Sequence, residues 1–286
     1  MLLLYPAASI GLFGTQADDR MAVQMGSEPT MRAFFTRIGS GCLEGIQGTG
    51  RISILFAQTL ACLFRRLPPR SVLVEQFYQV GNRSLPVVLT TGAFTGMVMA
   101  AQTYFQFRRL GVQTMVGAVV GVSLVKELGP VLTALMLAGR VGAAMAAELG
   151  TMRVTEQIDA LETLATDPVH YLILPRFLAC LLLTPVLTIM ADAIGMVGGY
   201  LVAVPIYYVN AHFYVHNTLV NVTVYAVMAG VIKSFVFGGI IALVACYKGF
   251  YAREGAEGVG KATREAVVAA CILVLVSNFF LTLALR

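Results

Sequence analysis

Lys126 and Glu127 stand side by side in an apolar run, VSLVKELGPVLTALMLAGR (residues 122–140), with Gly129 and Pro130 just behind them. Charges inside a bilayer are expensive, so at least one of the two must face a cavity, a partner chain or another charge. Adjacent residues on a helix point about 100° apart, which keeps this pair off a common face. Pro130 has no N–H, so the carbonyl of Lys126, four residues back, must find another donor inside the bundle. Asp192 and Lys233 also interrupt apolar runs and are the candidate partners. The residues alone allow either a structural buried pair or a role in substrate or conformational coupling.

Other chemistry is weaker. GAEGVGKA (255–262) begins like a phosphate-binding loop, but Ala262 stands where a magnesium-reaching Ser or Thr belongs. No buried strand precedes it, and its glycines read as a tight turn. His212 and His216 are four apart with no carboxylate nearby, which suits solvated imidazoles better than a metal site. Glu148, Glu156, Asp159, Glu162 and Asp167 match no calcium loop. No nucleophile–base or metal set of an intramembrane enzyme stands out. The expected metal and cofactor content of this chain is none.

These residues need elements to hold them. The chain is 58% hydrophobic and 12% charged, too apolar to clothe a water-soluble globule. The expected fold is an all-α polytopic membrane protein. The net charge of +5 is spread rather than gathered into a basic face, so no nucleic-acid partner is expected. Five scattered cysteines read as small packing residues. Residues 1–30 are expected to carry no fold, and Met21, Met25 or Met31 offers a later start. Residues 31–82 are expected to form N-terminal interfacial or elbow helices, since ISILFAQTLACLF is short for a crossing. Residues 83–286 hold five apolar segments, at about 84–105, 113–146, 170–204, 218–247 and 264–285.

Basic residues crowd one side. Seven arginines lie between residues 31 and 83, before the first span, and Lys248, Arg253, Lys261 and Arg264 flank the fourth-to-fifth turn. The loop 205–217 has no Lys or Arg. The positive-inside rule then predicts a cytoplasmic N-terminus and an external C-terminus. Between the second and third spans, Val154, Ile158, Leu161 and Ala165 form one apolar stripe. That predicts an amphipathic helix over about 148–165, lying on the membrane or docking a soluble partner. Small residues four apart (Gly92/Gly96, Gly117/Gly121, Ala138/Gly142/Ala146, Gly195/Gly199) allow close helix approach, within one chain or between subunits.

The run KELGPVLTALMLAGRVGAAMAAELGTMRVTEQIDALETLATDPVHYLILPRFLA resembles the MlaE/YrbE family, permease subunits of Mla- or Mce-type ABC transporters in bacteria. GVIKSFVFGGIIALVACYKGF (230–250) and GAEGVGKATREAVVAA (255–270) agree with it, and the likeness spans roughly 70–285. The resemblance implies a homodimer in the bacterial inner membrane, with an N-terminal interfacial helix and five spans per chain. It implies a separate cytoplasmic ABC ATPase that carries ATP and magnesium, an external MCE-domain substrate-binding protein, and in some systems a STAS-domain subunit. The implied cargo is phospholipid or a related hydrophobic molecule, moved between the inner membrane and the outer envelope, so the C-terminus would be periplasmic.

Carried over by position, Glu148–Leu164 resembles the family's coupling helix. That makes Glu148, Thr151, Arg153, Glu156, Gln157, Asp159 and Leu161 the expected ATPase-docking residues. Lys126 and Glu127 match the family's basic–acidic pair beside its lipid cavity, so Lys126 is expected to attract a phosphate headgroup and Glu127 to position Lys126 or gate the cavity. Asn278 stands where members commonly carry an acid. The alternative is an ion-coupled secondary transporter with Lys126, Glu127, Asp192 and Lys233 as its ion pathway and Pro130 as the mark of a broken helix.

Overall fold

The computed structural model describes residues 48, 50–63, 68–253 and 255–285. The chain divides into two units at Arg51/Ile52, and from Ile52 onward the elements below belong to the second. The expectation for residues 1–30, and for 31–47, lies outside the described residues. Helix α1 (Gly50–Leu63) is apolar and short. Helices α2 (Arg70–Phe77) and α3 (Leu85–Leu110), joined through a π turn, make the first span. The second span runs through α4 (Val116–Ser123), α5 (Gly129–Leu137) and α6 (Ala143–Val154), with π turns between them. A short helix α7 (Gln157–Thr163) follows, then α8 (Leu174–Ala203), α9 (Ala211–Asn221), α10 (Val224–Phe250) and α11 (Gly255–Ala284). Five of these stretches are long and apolar enough to cross a bilayer, and the chain is an all-α polytopic membrane protein.

The third and fourth spans form the middle of the bundle. The first span packs mainly along α8, and α10 lies between α8 and α11. Lipid tails are as apolar as leucine, so helices here associate through close van der Waals fit rather than by escape from water. The small-residue spacings do this within the chain. Gly92 and Gly96 lie on the α8 backbone at Ala191 and Gly195, and Gly198 lies on Ala93. Gly117 meets the α9 backbone at Tyr214, and Gly249 meets Ala146. A core of Leu137, Val141, Phe177, Leu187, Phe237 and Ile241 fills the space between the second, third and fourth spans.

Several boundaries differ from the sequence reading. The first span begins at Arg70, because π turn Tyr78–Asn82 carries α2 into α3 without a loop. The second half of the stretch 205–217 belongs to helix α9, started by the Asn210 side chain accepting from His212 N–H at 2.9 Å. His212 and His216 stack on it with centroids 6.0 Å apart. The fourth span therefore starts at Val224, capped by Thr223. GAEGVGKA is the first two turns of α11 rather than a loop. It packs against the second span, where Gly150 leaves room for Val259.

The segment after the second span also differs. A single helix over 148–165 is expected from its stripe, but the chain breaks at Thr155–Glu156. Glu156 takes a left-handed conformation (φ 59°), uncommon for a residue with a Cβ. Thr155 Oγ1 donates back to the Thr151 carbonyl at 2.8 Å, and Arg153 pairs with Asp159 across the break at 2.5 Å. Residues 148–154 therefore prolong the second span, and only α7 is a separate helix. Of the stripe, Ile158 is fully buried with Leu149, Leu172 and Ile173, and Leu161 packs against them. Val154 and Ala165 are exposed, because the break rotates them out of register.

Candidate functional site

Three spans converge on Glu127. The Lys233 ammonium, from the fourth span, lies 2.7 Å from Glu127 Oε1, and its side chain is only 3% exposed. It also donates to Thr282 Oγ1 at 2.8 Å and to the Lys126 carbonyl at 3.0 Å. An ammonium has three donors, and all three are used. The Lys126 carbonyl is the one that Pro130 deprives of its α-helical donor, so Lys233 satisfies both the carboxylate and the helix defect beside it. The π turn Leu124–Leu128 sets this geometry by widening the helix just before Gly129.

The fifth span completes the cluster. Asn278 Nδ2 donates to Glu127 Oε2 at 3.2 Å, and Thr282 contacts both carboxylate oxygens at 3.1 and 3.3 Å. Asn278 and Thr282 are one helical turn apart on α11 and so share a face. Sequence reading noted Asn278 only as a departure and missed Thr282. The i, i+4 pair of polar residues in an apolar helix was the available signal. An acid at 278 would face Glu127 and repel it, whereas the amide donates to it.

Lys126 points elsewhere. It is half-buried and has no ion-pair partner among the described residues, so Glu127 holds Lys233 rather than Lys126. Glu127 keeps 40% of its side chain exposed on the isolated chain, and Phe279 and Phe280 stand exposed beside Asn278. The result is a buried cation, an ion-paired carboxylate at a surface and a free ammonium next to it. That surface can hold an amphipathic molecule by its charged end.

Asp192 does not join this cluster. It makes no hydrogen bond or ion pair with any described residue, and its Oδ1 is sealed against the backbone of Gly129. It borders a cavity of about 10 Å³ that Thr91, Thr95 and Thr133 also line, room for roughly one water. The four charges of the alternative reading therefore do not form one chain of contacts. Asp192→Asn keeps the shape and removes the burden of an unpartnered carboxylate. Its thermal midpoint in detergent is expected to match or exceed that of the parent, by the equivalent of about 1 kcal/mol. A drop of several degrees would mean that Asp192 has a partner outside the single chain.

At the far end of the second span, the expected docking residues lie close together. Thr151, Glu156, Gln157 and Asp159 are exposed, and Arg153 and Leu161 are half-buried. Glu148 is held by Arg176 at 3.0 Å, the guanidinium itself being buried. The same continuous helix thus carries Lys126–Glu127 and ends at this surface.

Residues 73–284 match the family described as Permease MlaE. The chain is 44% identical over 247 residues to a probable ABC transporter permease protein of Rickettsia bellii, covering 86% of this chain and 95% of the relative. It is 35% identical over 251 residues to the intermembrane phospholipid transport system permease protein MlaE of Haemophilus influenzae, covering 87% and 96%. It is also 37% identical over 209 residues to the chloroplastic protein TRIGALACTOSYLDIACYLGLYCEROL 1 of Arabidopsis thaliana, covering 73% and 60%.

Proposed function

The chain belongs to the MlaE permease family of ABC transporters, and from that premise we propose that it moves phospholipid between the inner membrane and the outer envelope. The observation that carries this reading is the half-exposed Glu127 locked to a buried Lys233 beside an unpaired Lys126. A headgroup phosphate docks at the Lys126 ammonium, and Glu127 is the fixed wall that sets where it stops. The acyl chains lie against the apolar faces of the first, second and fifth spans. The name of the Haemophilus influenzae relative supports phospholipid as the cargo.

A carboxylate left open inside a span needs cover, from a second copy of the chain or from a water-filled cavity. A homodimer with Glu127 facing its central cavity supplies both. ATP hydrolysis belongs to a separate cytoplasmic ATPase that docks on residues 148–163, and an MCE-domain protein, with or without a STAS subunit, completes the assembly. The N-terminus is cytoplasmic and the C-terminus periplasmic in the inner membrane. Movement of residues 148–154, the part of the docking segment continuous with the second span, passes along that span to the π turn at Leu124–Leu128, where Lys126 and Glu127 sit.

Purification of the tagged chain from native membranes, with mass spectrometry of its proteins and lipids, tests this. The expected result is an ABC ATPase, an MCE-domain protein and phospholipid together. Transport that persists without an ATPase would instead favour the ion-coupled alternative. On the docking surface, Glu156→Arg alters an exposed side chain without touching the core. It is expected to lower ATPase co-purification about tenfold, a change of roughly 1.4 kcal/mol, while the chain stays folded. Unchanged co-purification would remove Glu156 from the interface.

A further inference from the structure

A second polar cavity lies between the first and second spans, at the end that carries α7. Its volume is about 120 Å³, and its walls include Gln76, Gln79, Arg83, Arg140, Met145 and Glu148. An open vestibule of about 620 Å³ adjoins it through Gln76, Gln79 and Glu148 and reaches Thr151 and Arg176. Nothing in the Glu127–Lys233 cluster touches either space.

Three observations point to an anion. First, two guanidiniums from different spans line one cavity, and neither has a carboxylate partner among the described residues. Arg140 donates only to Ser84 Oγ, at 2.6 Å, and Arg83 only leans over the Tyr78 ring at 6.0 Å. Second, the one carboxylate in the wall of the smaller cavity, Glu148, is already held by Arg176 at 3.0 Å, and Glu75 lines only the vestibule. Third, Gln76 is 93% buried, lines both spaces and makes no side-chain hydrogen bond among the described residues (7% exposed). Its amide opens on the cavity, where water or a ligand can pair with it. Arg forks match phosphate oxygens bidentately, and an amide adds a neutral donor.

Depth favours the same ligand. Arg83 and Ser84 immediately precede the apolar helix α3, where the polar first part of the first span, α2 and its π turn, gives way to the apolar part. The cavity is too small for acyl chains and open on one side.

We propose that Arg83, Arg140 and Gln76 form a phosphate-binding site, distinct from the Lys126 site, that holds the headgroup phosphate of an anionic phospholipid or a free phosphate at the coupling end of the bundle. The phosphate site itself stands on the cavity, whereas lipid as the source of the phosphate and its effect on the docking segment rest on the transport reading. A phosphate bound here ties the first span to the second between Arg140 and the docking segment, so its occupancy biases how the docking segment moves.

The test uses the full chain, delipidated in detergent and titrated with phosphatidylglycerol, phosphatidylcholine or inorganic phosphate, with binding read by native mass spectrometry. Wild type is expected to retain phosphatidylglycerol over phosphatidylcholine. R83Q/R140Q is expected to lose that preference by about tenfold or more. Competition by inorganic phosphate at comparable concentration assigns the site to free phosphate, and its failure to compete assigns the site to the lipid headgroup. Gln76→Glu leaves both arginines in place and puts a carboxylate in the cavity, and it is expected to weaken binding as well. A wild type that binds neither probe selectively, or folded variants that bind like wild type, would overturn the site. Photo-crosslinking of phospholipid from position 126, read in the same preparations, is expected to persist in R83Q/R140Q. Its loss in wild type would bear on the proposed transport function instead.

Discussion

Lys233→Ala is expected to destabilise the chain by about 3 kcal/mol or more and to abolish transport. The ammonium is 3% exposed and makes three hydrogen bonds, to Glu127, Thr282 and the Lys126 carbonyl. Its removal leaves Glu127 without a counter-charge and the Lys126 carbonyl without a donor, at the point where Pro130 has already taken one hydrogen bond from the helix. Glu127→Ala is expected to be comparably severe, because it strands a buried cation. The pair Glu127→Leu with Lys233→Met removes both charges at once and replaces them with apolar volume. That double variant is expected to recover most of the stability and none of the transport, since apolar replacement of a buried pair is often close to neutral. Unfolding in detergent gives the first quantity and lipid transfer gives the second. Full recovery of transport in the double variant would make the pair purely structural.

Gly96→Val is expected to prevent assembly of the bundle. A Cβ at Gly96 would fall on the backbone of Gly195, carbonyl included, with no flexible side chain to move aside. Overpacking a core typically costs 1–3 kcal/mol, roughly, when side chains can adjust. Here the whole first span must retreat from α8, which also separates Gly92 from Ala191 and Gly198 from Ala93. The expected cost is above that range, seen as loss of monodisperse protein on extraction. Gly139→Ala is the internal control, since a Cβ there meets nothing within 4 Å. Equal behaviour of the two variants would mean that the first and third spans do not touch as described.

Much of this was legible in the sequence because membrane burial is a strong signal. Composition and run length gave five spans, and glycine spacing marked helix contacts, though only the structure places them within one chain. Charges in apolar runs marked Lys126, Glu127, Asp192 and Lys233, but charge alone does not say which of them meet. Lys233 and Asp192 look alike as interruptions, yet one is triply bonded and the other faces a single small cavity. Thr282 was invisible because a threonine in a span often bonds only its own helix, as Thr188 does to Thr184. The break at Glu156 was hidden for another reason. A left-handed residue without glycine leaves no mark in hydrophobic periodicity, so the stripe from Val154 to Ala165 read as one helix. The Arg83–Arg140 cavity joins residues 57 positions apart, a proximity that no local pattern reports.

The most direct measurement is lipid transfer from liposomes holding the chain together with the proposed ATPase and MCE-domain partners, with and without ATP. Wild type is expected to transfer phospholipid only with ATP, and Lys126→Ala is expected to hydrolyse ATP yet transfer little. Transfer at the same rate without ATP, or undiminished in Lys126→Ala and Glu127→Ala alike, would contradict a phospholipid permease that works through this cluster.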